Sequence, residues 1–238
     1  MPMPVKNVGG QTSIVPGTES AIDPLYGATR VVTRPFDYTW PQGITLGHYS
    51  VVGNTVAGLL GANAVLAAFR WTDASRLAVP LRISVAVVGV TAVATAQRID
   101  PITATIARNY TARDATLATA IAFTAAKSQA MRSNMGQSIL GATGNFDVCS
   151  GVAGLSGGTK TLDTNPFGMA AVVLGPGLTT LPQASPQTDL YKAEAGNGEH
   201  PLVLAQNEGF IVSWGATALA TGSVYVAIMI KWAELPIF

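Results

Sequence analysis

Between Val224 and Ala233 the chain reads "VYVAIMIKWA". Successive side chains of a strand point to opposite sides. Val224, Val226, Ile228, Ile230 and Trp232 therefore share one face, and Tyr225, Ala227, Met229, Lys231 and Ala233 share the other. The first face reads as core. The second is apolar enough to be covered as well, with Lys231 at its rim, which places the strand between sheets or between a sheet and a neighbouring chain. Just upstream, the 22 residues from Gly209 to Ile230 carry no charged side chain, long enough for a membrane helix. Yet "GATALATGS" in the middle has the composition of a loop, and Phe210, Ile211, Val212 and Trp214 on one side and Val224, Tyr225, Val226, Ile228 and Ile230 on the other favour strands. The pattern predicts two strands joined by a loop, and no membrane partner.

The same reading extends upstream. After Gly136, turn signals ("GATGN", "GLSGGT", "GPG", "GNGE") separate short apolar runs: "FDVCSGV", "MAAVVL", "PLVLA", "FIVSW" and "VYVAIMIKW". Many short strands between frequent breaks mark a β-sandwich, jelly roll or barrel. "AVLAAFRW" (64–71) and "RLAVPLRISVAVVGV" (76–90) flank a turn, "TDAS". Pro80 lacks a ladder donor, so its part of the second run belongs at an edge or a bulge. Residues 101–135 leave two readings open. Leu117, Ile121 and Ala125 recur at helical spacing, with Asp114 as a cap and Gly136 as a stop, but the Thr residues between 111 and 124 resist helix. Residues 1–43 hold Pro2, Pro4, Pro16, Pro24, Pro35 and Pro41. They read as an extended arm with short strands such as "TRVVTRPF", lying across a neighbouring subunit or else frayed. The expected organisation is this arm (1–43) followed by a sandwich domain (44–238), an all-β fold.

Composition narrows the functional classes. Charged residues make up 11% of the chain, below the ~25% of an average soluble protein. The surface is then wetted by neutral polar side chains or covered by other subunits. A net charge of +1 provides no general attraction for nucleic acid or anionic lipid, and no nucleic-acid partner is expected. Cys149 is the single cysteine, so neither an intrachain disulfide nor a Cys-rich metal site is available. The N-terminal "MPMPVKNVGGQTS" lacks the basic-then-apolar order of a secretory signal.

No constellation of residues points to catalysis, and no cofactor or metal is expected. "GEHP" offers Glu199 and His200, but neighbours on a strand face opposite ways, and a polar turn is the simpler reading. "GLSGGTKT" resembles a phosphate loop, but Thr159 stands where a Gly must precede the Lys, so a hairpin turn leading into "KTLD" is expected. Cys149, among apolar neighbours, reads as a buried thiol. Arg70, Arg76, Arg82, Lys127 and Arg132 are candidates for contact with a partner, as are Tyr225 and Met229 on the second face of the C-terminal strand. Arginine favours interfaces, although solvated strand ends would explain the cations equally well.

"FRWTDASRLAVPLRISV" (69–85) resembles a segment of virion structural proteins of tailed bacteriophages, in which an apolar strand is followed by an F-R-W-T box and a basic strand. "KSQAMRSNMGQS" (127–138), "KTLDTNPFG" (160–168) and "GEHPLVLAQNEGFIVSW" (198–214) are similar to later parts of the same proteins. The likeness spans about residues 49–234 and favours strands and loop over helix in 112–126. It implies a jelly-roll or β-sandwich protein built into the virion and assembled in the host cytoplasm. The first expectation is a non-enzymatic decoration or cement protein, a homotrimer bound to the major capsid protein. The alternative is a tail, baseplate or fibre component. A small hydrolase or cupin-like metalloprotein and a membrane-active protein are the competing classes.

Overall fold

The computed structural model describes residues 18–22, 29–33, 47–56, 58–89, 91, 98–123, 128–130, 137–141, 145–174, 183–184, 186–194 and 201–236. Among these residues fifteen strands follow in order. They are β1 (Thr18–Ile22), β2 (Thr29–Thr33), β3 (Gly47–Asn54), β4 (Val65–Trp71), β5 (Arg76–Gly89) and β6 (Arg98–Ala112). Then come β7 (Ala118–Ala120), β8 (Ser128–Ala130), β9 (Phe146–Cys149), β10 (Thr159–Leu162) and β11 (Gly168–Leu174). The last are β12 (Gln183–Ala184), β13 (Thr188–Lys192), β14 (Glu208–Trp214) and β15 (Val224–Pro236). The fold is an all-β sandwich. One seven-stranded sheet runs β10-β6-β14-β4-β9-β7, with β11 also on β6, and one six-stranded sheet runs β12-β5-β15-β3-β8, with β13 also on β5. The recorded pairs are antiparallel, and β1 pairs with β2 apart from both sheets.

Alternation places the core. Val224, Val226, Ile228, Ile230 and Trp232 are fully buried, while Tyr225, Ala227, Met229 and Lys231 on the opposite face are half-buried. Burying five such side chains contributes on the order of 10 kcal/mol before conformational entropy is counted. Aromatic rings fill the space between the sheets. Phe69 of β4 stacks on Phe210 of β14, centroids 5.2 Å apart, and both belong to the seven-stranded sheet. Trp232 of the other sheet lies 5.6 Å from Phe69, 5.2 Å from Phe123 and 5.5 Å from Tyr49. A smaller cluster (Ala68, Ala107, Tyr110, Cys149, Leu155 and Ile211) lies on the outer side of the seven-stranded sheet. Leu155, in the connection after β9, packs against it.

The charge-free stretch 209–230 is thus two strands, β14 and most of β15, joined by residues 215–223. No helix among the described residues is long and apolar enough to cross a membrane. Pro80 lies beside an irregularity of register. Lys231 faces Arg82 and Trp232 faces Pro80, leaving Leu81 as the extra residue of a bulge. The "TRVVT" strand is β2. One open reading is decided and one expectation is corrected. The Ala-rich segment holds no helix among its described residues. Leu117 has a left-handed φ of 55°, which a helix does not admit, and β7 pairs with β9 instead. Asp114 caps nothing and is buried in an ion pair described below. "PLVLA" is not a strand. It makes a single bridge, Leu204 to Ala78.

Close strand approach depends on glycine at Gly209. A Cβ there would lie 2.0 Å from the Phe69 carbonyl oxygen and 3.1 Å from the Arg70 Cα, both backbone atoms that cannot swing aside. Gly209→Ala is expected to cost about 1–3 kcal/mol, the range for overpacking. Urea titration of the two proteins measures it.

Candidate interaction surfaces

Most of the described cations are paired with carboxylates of the same chain. Arg76, at the start of β5, donates through Nη1 to Glu234 Oε2 at 2.8 Å. Glu234 is fully buried and also accepts from Ser138 Oγ at 2.6 Å. Arg82 Nε donates to Asp189 Oδ1 at 2.7 Å, and Ser84 Oγ donates to the same oxygen at 2.8 Å. Arg108 bridges Asp163 and Glu208, and Arg98 holds Asp100. At the far end of β6, Lys160 Nζ donates to both oxygens of Asp114 at 2.7 Å, and Tyr110 Oη donates to Oδ2 of the same carboxylate. Arg113 pairs with the buried Asp147 beside them. Lys160 Nζ lies 5.1 Å from the centroid of the Tyr110 ring.

Burial and hydrogen bonding set the titration of this network. Burial first, then the hydrogen bond to Asp114, pushes the Tyr110 hydroxyl far above the usual phenol range. Burial raises Asp147 despite the opposing Arg113 guanidinium. Asp189 behaves the other way. Burial pulls its carboxyl upward, but the hydrogen bonds from Arg82 and Ser84 and the Arg82 charge together hold it below the usual carboxylate value. A depressed folded pKa contributes stability above the unfolded value of ~3.9, and that stability is lost as pH falls through the folded pKa. Melting temperatures measured from pH 2 to 7 should therefore fall more steeply below about pH 4 in the wild type than in Asp189→Asn.

The sequence candidates divide accordingly. Arg76 and Arg82 are held by carboxylates, and Arg70 donates through Nη1 to the Thr111 carbonyl at 2.9 Å while lying over the Tyr110 ring. Tyr225 and Met229 sit together on the half-buried outer face of β15. Lys127 and Arg132 lie outside the described residues, as do Glu199 and His200. Cys149 is buried, its Sγ donating to the Gly151 carbonyl at 2.6 Å. Gly157 and Gly158 of the "GLSGGTKT" segment take left-handed φ values of 93° and 69°, turning the chain into β10. Lys160 then turns inward to Asp114. Among the described residues no three of His, Cys, Asp and Glu come close enough to hold a metal ion.

The most exposed apolar surface is one that sequence reasoning missed. β11 pairs with β6 so that Val173 faces Ile99, Ala171 faces Pro101 and Met169 faces Thr103. Ile99 and Met169 are each 65% exposed and Val173 is 51% exposed, with Ala171 and Pro101 exposed between them. This outer face carries no charge. The signal was present in "GMAAVVL", whose Met169, Ala171 and Val173 alternate with Ala170, Val172 and Leu174. Because both sets are apolar, the sequence does not distinguish the solvent-facing set from the buried one. The chain matches no protein-family model, and no curated protein matches it.

Proposed function

We propose that this chain is a non-enzymatic structural protein of a tailed-bacteriophage virion, a decoration or cement protein that binds the major capsid shell and stabilises it. The observation that carries the reading is the uncharged apolar face of β6 and β11. Contiguous apolar surface on an edge strand promotes unwanted association unless another subunit covers it. A protein that works by area and shape has a use for such a face. Stable contacts bury about 800 Å² per partner. The sparse charge supports the same reading, since most of the described cations are held within the chain and few are left to repel a close neighbour. The motifs quoted above point to the virion, and the trimeric state is what those motifs imply.

Quantitative mass spectrometry of purified particles tests the proposal. Hundreds of copies per particle are expected. A few copies or a dozen would move the protein to the tail, and absence from the particle would overturn the reading.

A further inference from the structure

We infer that Lys160 and Asp114 become joined by an amide bond between their side chains, a cross-link that the folded chain forms on itself. This goes beyond the function proposed above and does not depend on it. Lys160 stands in β10, and Asp114 lies just after β6. The local chain brings them together. A Cβ on Gly158 would lie 2.7 Å from the Ala112 carbonyl oxygen, so the turn before β10 fits closely against the end of β6. The register of β10 on β6 then slips, with Thr159 opposite Ala112 and Thr161 opposite Arg108. Asn109, with a left-handed φ of 51°, lies within the slip, as expected of a bulge that re-aims a side chain.

The pair differs from an ordinary surface ion pair. Side-chain exposure is 12% for Lys160 and 1% for Asp114. Nζ lies 2.7 Å from each carboxylate oxygen. The carboxyl carbon sits between those oxygens, so it is about 3 Å from the nitrogen, the separation of a near-attack pair. The Tyr110 hydroxyl donates to Oδ2, and its ring centroid is 5.1 Å from Nζ. Tyr110 is buried among Ala68, Ala107, Cys149, Leu155 and Ile211. The other charges beside the pair are Arg70, over the Tyr110 ring, and the buried Asp147, held by Arg113. Burial raises the Asp147 carboxyl, and the Asp114 charge adds to the rise.

Burial also decides the chemistry. In water an ammonium and a carboxylate stay charged because both are well solvated. Out of water that preference weakens, and the neutral amine and acid become accessible. One proton passes from Lys160 Nζ to the Asp114 carboxylate. The nitrogen lone pair then attacks Cγ, a C–N bond forms, and the nitrogen releases a second proton. The C–Oδ2 bond breaks, and that oxygen leaves as water with both protons. The Tyr110 hydroxyl, hydrogen-bonded to this oxygen, assists its departure and keeps its own proton. One ammonium and one carboxylate thus yield one neutral amide and one water, with atoms and charge balanced and no other reactant. The product removes two buried charges, and it relieves Asp147 of a like charge nearby.

Intact mass spectrometry of the purified full chain, folded, incubated at neutral pH and then denatured, tests the inference. The wild type is expected to be lighter than its sequence mass by one water. Proteolysis should release a branched peptide that joins the segments holding Asp114 and Lys160. Lys160→Arg keeps a cation beside Asp114 but offers no nucleophilic amine, and it should show its full sequence mass. A wild type at full sequence mass overturns the inference whether or not the variant folds. A water deficit that persists in Lys160→Arg, or that maps to an aspartyl succinimide, places the dehydration elsewhere and overturns it as well. None of these results alters the number of copies per particle, on which the proposed function is tested.

Discussion

Ile228→Asp is expected to yield no folded protein. Ile228 is fully buried at the middle of β15, where it faces Gly53 of β3 on one side and Val85 of β5 on the other. Removing its hydrocarbon leaves a cavity worth about 2–5 kcal/mol. The new carboxylate must then either ionise without a partner or stay protonated at further cost, which adds several kcal/mol. Domains of this kind have about 5–15 kcal/mol of stability in all. Ile228→Val, the control, should cost only about 0.5–1.5 kcal/mol. Circular dichroism and thermal melts check both, and an Asp variant with an unchanged melting temperature would refute the core assignment.

Arg76→Ala is expected to cost about 3–5 kcal/mol, more than an arginine at a strand end ordinarily contributes. The reason is its partner. Glu234 is fully buried, and among the described residues its charge without Arg76 keeps the Ser138 hydroxyl and the longer contact from Ile139 N, 3.3 Å away. The penalty comes from the carboxylate left behind rather than from the lost attraction. Removing that charge too, in Arg76→Ala/Glu234→Gln, should therefore recover a substantial part of the loss. Urea unfolding of the wild type, Arg76→Ala, Glu234→Gln and the double variant measures the difference. If the double variant is as unstable as the sum of the two single ones, the buried charge is not the cause.

The fold was legible where alternation and turn chemistry agreed. In β15, apolar residues sit at every second position and a Gly-containing loop precedes the strand. Splitting the stretch 209–230 required only the observation that Gly215, Gly222 and Ser223 do not belong in a hydrocarbon-facing helix. Legibility failed where one composition serves two structures. The Ala- and Thr-rich run after Ala112 has helical spacing, but its conformation is decided by tertiary pairing: Ile121 N donates to the Phe146 carbonyl, and Phe123 is buried against Trp232. "PLVLA" has strand composition, yet only Leu204 finds a ladder partner.

The candidate surfaces were less legible than the fold. Tyr225 and Met229 could be placed on the outer face by counting. The roles of Arg76 and Arg82 depend on carboxylates 158 and 107 residues away, a pairing that no local pattern announces. Lys160 was visible only as part of an imperfect phosphate-loop motif, and its buried carboxylate lies across a strand pair. The exposed Ile99–Met169–Val173 face depended on knowing which side of β11 meets solvent.

The uncharged apolar face of β6 and β11 is proposed to be covered by another subunit. An electron-microscopy reconstruction of the assembled particle, at a resolution that traces β11, tests this most directly. The expected density places this chain on the capsid shell in many symmetry-related copies, with Ile99, Met169 and Val173 buried against a neighbour. A shell without this chain, or one in which the β6–β11 face points into open solvent in every copy, would contradict it.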